Sequence, residues 1–485
     1  MSTPTEAEIA SGALARQGLL DRDAVDAAAA IIDTMARDGI ETLRVLFADQ
    51  HGILRGKTLA ARAVVSAFRS GVGIPSTLLL KDTAHRTVFD VWSADGGAAG
   101  LALGGGDVVM VPDPATFRRL PWSPHSALVL CDLADRAGRP IPIAPRAVLR
   151  GAEARLAARG LRALMGLEVE FQVFERLDPM LGHAEATMPP APVATRNLTQ
   201  GWQYLTETRY GEVEDLLDTL RRHADSMGLA PRSAEIEMGP SQFEFTFDAS
   251  GPMEQADRFV LFRTLVKEVC QRRGLHATFM ARPRLPNAAA NGWHIHQSLA
   301  ERDSGRNLFT PGADGALTPQ AAGWIAGLLA HAEASCLLTT PTINGYKRYA
   351  PFQLAPNRVQ WGRDNRGAMI RALMFPGDPA SRIENRAPDT TANPYFALAA
   401  QVLSGLDGID RADAPPPATE DPYAGARLLP TTLIAAVEAF EGSALYRTTL
   451  GEDVVAWLAR IKRAEWDRYL ASLSEWEQAE YFNLF

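Results

Sequence analysis

Four segments space acidic, imidazole or guanidinium side chains two residues apart, which puts them on one face of a β-strand. In residues 166–174 (GLEVEFQVF), Glu168, Glu170 and Gln172 share one face, and Leu167, Val169, Phe171 and Val173 share the other. Residues 235–247 (EIEMGPSQFEFTF) read as a hairpin turning at 239–241, with Glu237 before the turn, Glu244 after it, and Phe243, Phe245 and Phe247 on the buried parity. Two carboxylates brought together in this way repel unless a cation lies between them. In residues 291–298 (NGWHIHQS), His294 and His296 share a face, as a metal or phosphate site or, equally, as two hydrogen-bonded core histidines. Residues 381–386 (SRIENR) align Arg382, Glu384 and Arg386, while 365–371 (NRGAMIR) and 346–348 (YKR) add Arg366, Arg371 and Arg348.

Carboxylate-rich sites suit Mg²⁺ or Mn²⁺, which bridge to the phosphates of ATP. Guanidinium groups match carboxylate and phosphate and neutralise a moving phosphoryl group. The sequence contains no G-x-x-x-x-G-K-[ST] loop, so a nucleotide would be held by this other arrangement. Each segment alone also fits a solvated strand face or a surface salt bridge. The chemistry requires that they converge.

Both strands and helices are read along the chain. Residues 42–48 and a run from 53, joined by the turn 49–52, read as a hairpin; 107–111 reads as a strand. Residues 37–135 form a small mixed domain, preceded by an Ala-rich extension, 1–36, of one or two helices. Pro140, Pro142 and Pro145 mark a linker into a helix over 146–159, and 140–485 is the catalytic domain. The apolar stretch 324–338 contains His331 and Glu333 and reads as a core helix rather than a membrane span. Residues 433–481 alternate apolar and charged side chains at helical spacing, as two or three helices.

The 485 residues are 46% hydrophobic and 22% charged, with a formal charge of −8. Such an acidic balance argues against nucleic acid as a partner. Three scattered cysteines, Cys131, Cys270 and Cys336, read as reduced thiols, and the acidic N-terminus does not read as a signal peptide. A cytoplasmic protein that meets no membrane is the expectation.

In order along the chain, E-x-E-F (168–171), E-x-G-P-x-Q-x-E (237–244), Ala256-Asp257, Leu261-Phe262 and Val266-Lys267-Glu268, A-T-F-M (277–280), H-x-H-Q-S (294–298), Tyr346-Lys347-Arg348, N-R-x-A-x-I-R (365–371), R-I-E-x-R (382–386) and Asn393-Pro394-Tyr395 resemble the glutamine synthetase family. The likeness runs from about residue 41 to the C-terminus. It implies an α+β fold, with a small β-grasp-like N-terminal domain and a large catalytic domain with a curved antiparallel sheet flanked by helices. It also implies a ring-stacked homo-oligomer, a dodecamer, with active sites between subunits. Two or three Mg²⁺ or Mn²⁺ ions per site would be held by Glu170, Glu237 and Glu244 and by Glu168, His294 and Glu384. His296, Ser298, Arg371 and Arg382 would bind ATP. Arg366 would lie between ATP and glutamate. Arg348, Arg386 and the Ala290 carbonyl would bind glutamate. Glutamate would attack the γ-phosphate of ATP, and an amine would then displace phosphate from γ-glutamyl phosphate. Arg366, Arg386 and Glu235 are the candidates for the catalytic steps.

Two departures point to the amine-ligase branch of the family. Ammonium-using members carry Phe-Asp-Gly-Ser-Ser where residues 73–77 read GIPST, so Pro75 replaces an Asp; a loop that usually supplies a Glu reads PFQLAP over 351–356, with Leu354 there. An alkyl ammonium, with a pKa of roughly 10.4 as for lysine, arrives charged and needs anionic company and a base. Pro75 and Leu354 instead make a pocket suited to an amine with an apolar body. An alkyl- or arylamine acceptor ranks first. Glu235 sits where His is frequent and could supply a replacement base, or an acidic lining for a polyamine. The alternatives are a γ-glutamylpolyamine synthetase, a true glutamine synthetase using ammonia, or a non-catalytic structural relative.

Overall fold

The computed structural model describes residues 4–92, 101, 103–178, 180–350 and 355–485. Two sheets organise the chain. The smaller runs in the order Leu54–Ala60, Thr42–Ala48, Ser126–Ala134, Asp107–Pro112 and Val72–Pro75, with Arg118–Arg119 as an added pair. Its first two strands are the hairpin expected from 42–60. Thr42–Ala48 pairs in parallel with Ser126–Ala134, which gives a mixed sheet.

Residues 4–37 hold three helices rather than one or two: Pro4–Ala10, Ala13–Arg16 and Arg22–Arg37. The last begins where the Asp21 carboxylate accepts from the Ala24 amide at 2.9 Å, an N-cap that a reading by composition passes over. Their apolar faces, including Ile9, Leu14, Val25 and Met35, are buried in the same core as Phe68 and Met110 of the smaller sheet and the helix beside it.

Among the described residues, the larger sheet has nine strands. Its main path is Trp361–Arg363, Ile370–Leu373, Arg382–Asn385, Trp293–Glu301, Leu161–Arg176, Gln242–Phe247 and Pro231–Ile236. All these pairs are antiparallel except the first, which is parallel. One face is apolar. Phe171, Phe245 and Phe247 pack there around Phe262 of the helix Pro252–Arg272, and Phe279 stacks on Phe171, with ring centroids 4.9–5.9 Å apart. The buried helix Pro394–Asp410 packs against Pro252–Arg272 on that side. The other face carries the polar parity.

Pro145 occupies the first turn of the helix Pro145–Ala157, where its missing N–H costs nothing. Arg146 is buried and ion-pairs with Asp257, Asp113 and Asp132 at 2.7, 2.7 and 3.2 Å. It thereby ties the smaller sheet to the core of the larger part.

The expected single helix over 324–338 is two, Pro319–Ala330 and Ala332–Thr339, meeting at 76°. His331 ends the first and bonds Asp407 at 2.6 Å, which holds the bend. No single described helix is long and apolar enough to cross a membrane. The C-terminal part has four helices, not two or three: Leu433–Glu441, Ala444–Leu450, Glu452–Leu470 and Glu475–Tyr481. Ser443 caps the second, Gly451 with φ 96° separates the second and third, and a Ser474–Glu477 capping box starts the fourth.

Candidate active site

Strand register converts distant sequence segments into lateral rows. Glu170 faces Glu244, which on its other side faces Glu235. Glu168 lies between Thr246 and His294. Glu384 lies between His296 and Arg371. Cross-strand neighbours stand about 5 Å apart, so three adjoining rows on one face make a compact polar floor.

Glu170, Glu237 and Glu244 each place a carboxylate oxygen within 4.8 Å of the others. Glu168 groups in the same way with Glu244 and His294, and with His296 and Glu384. His294 Nδ1 lies 3.0 Å from Glu168, 3.7 Å from Glu384 and 4.0 Å from Glu244. The chain therefore brings together all six residues named for cation binding, and His296 with them.

The polar floor is electrostatically unbalanced. Burial, and then the neighbouring Glu170 carboxylate, pushes the Glu237 carboxyl up to about 8. Burial, followed by Glu170 and Glu168, also raises Glu244 well above the usual carboxylate range. Among the described residues, neither is ion-paired to a lysine or arginine. Burial also opposes ionisation of Glu168, but hydrogen bonds from His294 and His296 outweigh it and hold this carboxyl far below its ordinary value. Glu384 is fully buried; against that burial, the Arg386 guanidinium keeps its carboxyl low. Converging carboxylates, two of them without a lysine or arginine partner, flanked by an imidazole are a donor set that fits hard divalent cations.

The arginines divide into two kinds. Arg371 is held by Asp364 at 2.6 Å and Glu384 at 3.0 Å, and Arg386 by Glu384. Arg348 donates to the carbonyls of Ala387 and Pro388 at 3.0 and 3.2 Å. The buried Nε atoms of Arg348 and Arg386 have no hydrogen-bond partner, an orphaned donor pair suited to an anionic ligand. A Cβ on Gly292 would stand 2.9 Å from His294 Nε2, 3.1 Å from Arg348 Nη2 and 3.3 Å from Glu170 Oε1. Only glycine lets the backbone pass this close to all three.

Beside the floor lies a cavity of about 450 Å³ lined by Glu168, Arg232, His296, Ser298 and Arg382, among others. Arg366 is exposed on the loop between Trp361–Arg363 and Ile370–Leu373. Glu235 accepts from Ser233 at 2.7 Å at the far end of its row. The Ala290 carbonyl accepts from Gln242 Nε2 at 2.8 Å. Pro75 is not brought to the floor within one chain; it ends the edge strand of the smaller sheet, paired with Asp107. The expected place of Leu354 lies outside the described residues.

Two contributors were passed over in the sequence. Gln242 Nε2 also donates to Glu170 at 3.1 Å and to Asn291 at 3.0 Å, and so orients a carboxylate of the acidic cluster. Its spacing of two from Glu244 was a readable signal. Tyr204 belongs to a segment where Trp202 and Leu205 bond the backbone of Met238 and Ile236. Burial, then Glu237, Glu244 and Glu235, pushes its phenol up to about 12, which places it near the acidic cluster. Nothing in its sequence neighbourhood marked it.

A family model described as the glutamine synthetase catalytic domain matches residues 142–481. A gamma-glutamylanilide synthase from an Acinetobacter species is 38% identical over 96% of this chain and 96% of its own length. A gamma-glutamylethanolamide synthetase of Streptomyces coelicolor is 36% identical over 92% and 94%. Among solved structures, a GmaS complex with ADP superposes with a TM-score of 0.79 at 29% identity, covering 93% of this chain and 99% of the other. The family uses ATP and divalent metal ions, with which the acidic floor is compatible, and by sequence, fold and the order of its motifs this chain belongs to the glutamine synthetase family.

Proposed function

We propose that the protein uses ATP to join the γ-carboxylate of glutamate to the nitrogen of an organic amine. A carboxylate oxygen of glutamate attacks the γ-phosphorus of ATP, and ADP leaves. The amine lone pair then attacks the acyl carbon of γ-glutamyl phosphate; the C–N bond forms, phosphate departs with the C–O bond, and the nitrogen gives up a proton. The observation that carries this reading is the clustering of Glu170, Glu237 and Glu244 beside two buried arginines with unused donors. Two gamma-glutamyl amide synthetases among the relatives support an organic amine as acceptor.

Within that scheme, Glu170, Glu237 and Glu244 hold one cation, and Glu168, His294 and Glu384 another. Mg²⁺ or Mn²⁺ bound there, two or three per site, supplies Lewis acidity and offsets the charge of the phosphates. His296, Ser298, Arg371 and Arg382 hold ATP against the adjoining cavity. Arg348, Arg386 and the backbone at Ala290 hold glutamate by its carboxylates and amino group. Arg366 stabilises the transferring phosphoryl group, and Glu235 takes the amine's proton. Pro75 reaches an active site as part of a second copy, in a ring-stacked dodecamer, where with Leu354 it gives the acceptor pocket its apolar wall.

The test is glutamate-dependent ADP release with aniline, ethylamine, ethanolamine, putrescine and ammonium, and identification of the products by mass spectrometry. A γ-glutamyl amide of aniline or an alkylamine is expected. Preference for putrescine would favour the polyamine reading, in which Glu235 meets the distal charge. Turnover with ammonium alone would make the protein a glutamine synthetase. No ADP release with any acceptor would make it a non-catalytic relative.

A further inference from the structure

The apolar face of the large sheet backs onto a second cavity, of about 530 Å³, within the range of roughly 300–1,000 Å³ typical of small-molecule sites. It opens at the seam between the hairpin turn of the smaller sheet, at Gln50–Gly52, and the helix Pro252–Arg272. Apolar wall comes from Ile53, Phe279, Met280 and Pro341. Ile53 and Met280 are 43% and 40% exposed, much for side chains of this kind at a seam.

The polar wall is cationic. Arg263 and Lys267 stand one helical turn apart and both line the cavity. Arg263 is buried; it donates to the carbonyls of Gly52 and, at 3.4 Å, Thr390, and lies 5.2 Å over the Phe259 ring. Lys267 donates to the Ala277 carbonyl at 3.1 Å, and among the described residues neither cation is ion-paired. The other charges lining the cavity are already matched. Arg55 pairs with Asp49 at 2.9 Å, Lys462 with Glu465 at 3.0 Å, and Glu268 with Arg44 at 2.6 Å. A buried guanidinium without an ion pair is costly, and burial outweighs the more distant Asp49 carboxylate and pulls Arg263 down to about 10.

We infer that this seam is a second ligand site, for a small organic anion whose apolar body lies on Ile53, Phe279 and Met280 and whose carboxylate or phosphate head is held by Arg263 and Lys267. The cavity wall at Thr390 and Thr391 continues the loop whose Ala387 and Pro388 carbonyls hold Arg348. A ligand at the seam therefore bears on the position of Arg348. That effect on glutamate rests on the function proposed above; binding itself does not.

The test is calorimetry on the full-length protein without ATP or glutamate, using phenyl phosphate and benzoate as separate probes to distinguish the two head groups. Wild type is expected to bind at least one. Lys267→Met, at an exposed position, and Ile53→Asp at the lip should each weaken that binding by at least about tenfold, the loss expected when a charge-assisted hydrogen bond or the apolar contact goes. Arg382→Met, in the ATP-side cavity, should leave it unchanged. Binding lost in Arg382→Met but kept in Lys267→Met would place the probes in the active site and overturn the inference, as would no binding of either probe. If the loop coupling holds, the bound probe also changes the KM for glutamate in wild type and not in Lys267→Met.

Discussion

Arg382 Nε donates to His296 Nδ1 at 3.1 Å, which fixes the imidazole's proton on the opposite nitrogen. His296 Nε2 must then donate to Glu168, 2.7 Å away, so an arginine of one strand sets the direction of a bond two strands distant. Removing the guanidinium frees the ring to adopt the other tautomer and takes a cation from the cavity proposed to hold ATP. Arg382→Met should lower kcat for glutamate-dependent ATP cleavage by about 10²-fold or more, the cost typical of losing one preorganised donor. Steady-state kinetics check this. A change confined to the KM for ATP would contradict it.

Glu244 is a buried carboxylate whose nearest charges are other carboxylates. Glu244→Gln should raise the thermal midpoint of the metal-free protein, because it removes that repulsion. It should also weaken Mn²⁺ binding at least tenfold, since even outer partners of metal ligands cost about that much. Scanning calorimetry and Mn²⁺ titration should move in opposite directions.

Metal-free protein should lose stability as pH rises. The folded Glu237 carboxyl stands near 8 against an ordinary 4.5, so folded protein binds more protons than unfolded protein between those values. Its stability contribution is intact below pH 4.5, declines above it and has gone once pH passes about 8. Saturating Mg²⁺ should flatten the decline by favouring the ionised carboxylate. Urea unfolding at pH 5, 6, 7 and 8, with Mg²⁺ and with chelator, measures both slopes.

Arg146 is buried with three aspartates around it. Arg146→Met leaves those charges without their cation and should cost about 3–5 kcal/mol, read from the urea midpoint. A loss below about 1 kcal/mol, the scale of an exposed pair, would show that the joint between the two sheets does not depend on it.

Parity was legible in the sequence; lateral neighbourhood was not. Alternation alone put Glu168 and Glu170 on one face and Phe171 on the other, and the structure agrees. That Glu170 meets Glu244 while Glu168 meets His294 depends on register across three strands, which no single segment encodes. Gln242 was readable by the same parity as Glu244 and was passed over because an uncharged amide does not advertise a cation site. Helix counts failed where caps carried the boundary: Asp21, Ser443 and Ser474 accept amide hydrogens that hydrophobic period alone does not foresee. Pro75 could be assigned to the acceptor pocket only by likeness to relatives, because its own strand lies in the other sheet.

The rows of the acidic floor tolerate some changes far better than others. Exchanging one of these glutamates alters a single side chain. Inserting or deleting one residue within Leu161–Arg176 would instead rotate every later side chain of that strand to the opposite face, sending carboxylates toward Phe262 and phenylalanines onto the polar floor. Length variation in this chain should therefore gather in connections such as residues 177–200, while the site-bearing strands diverge by substitution alone.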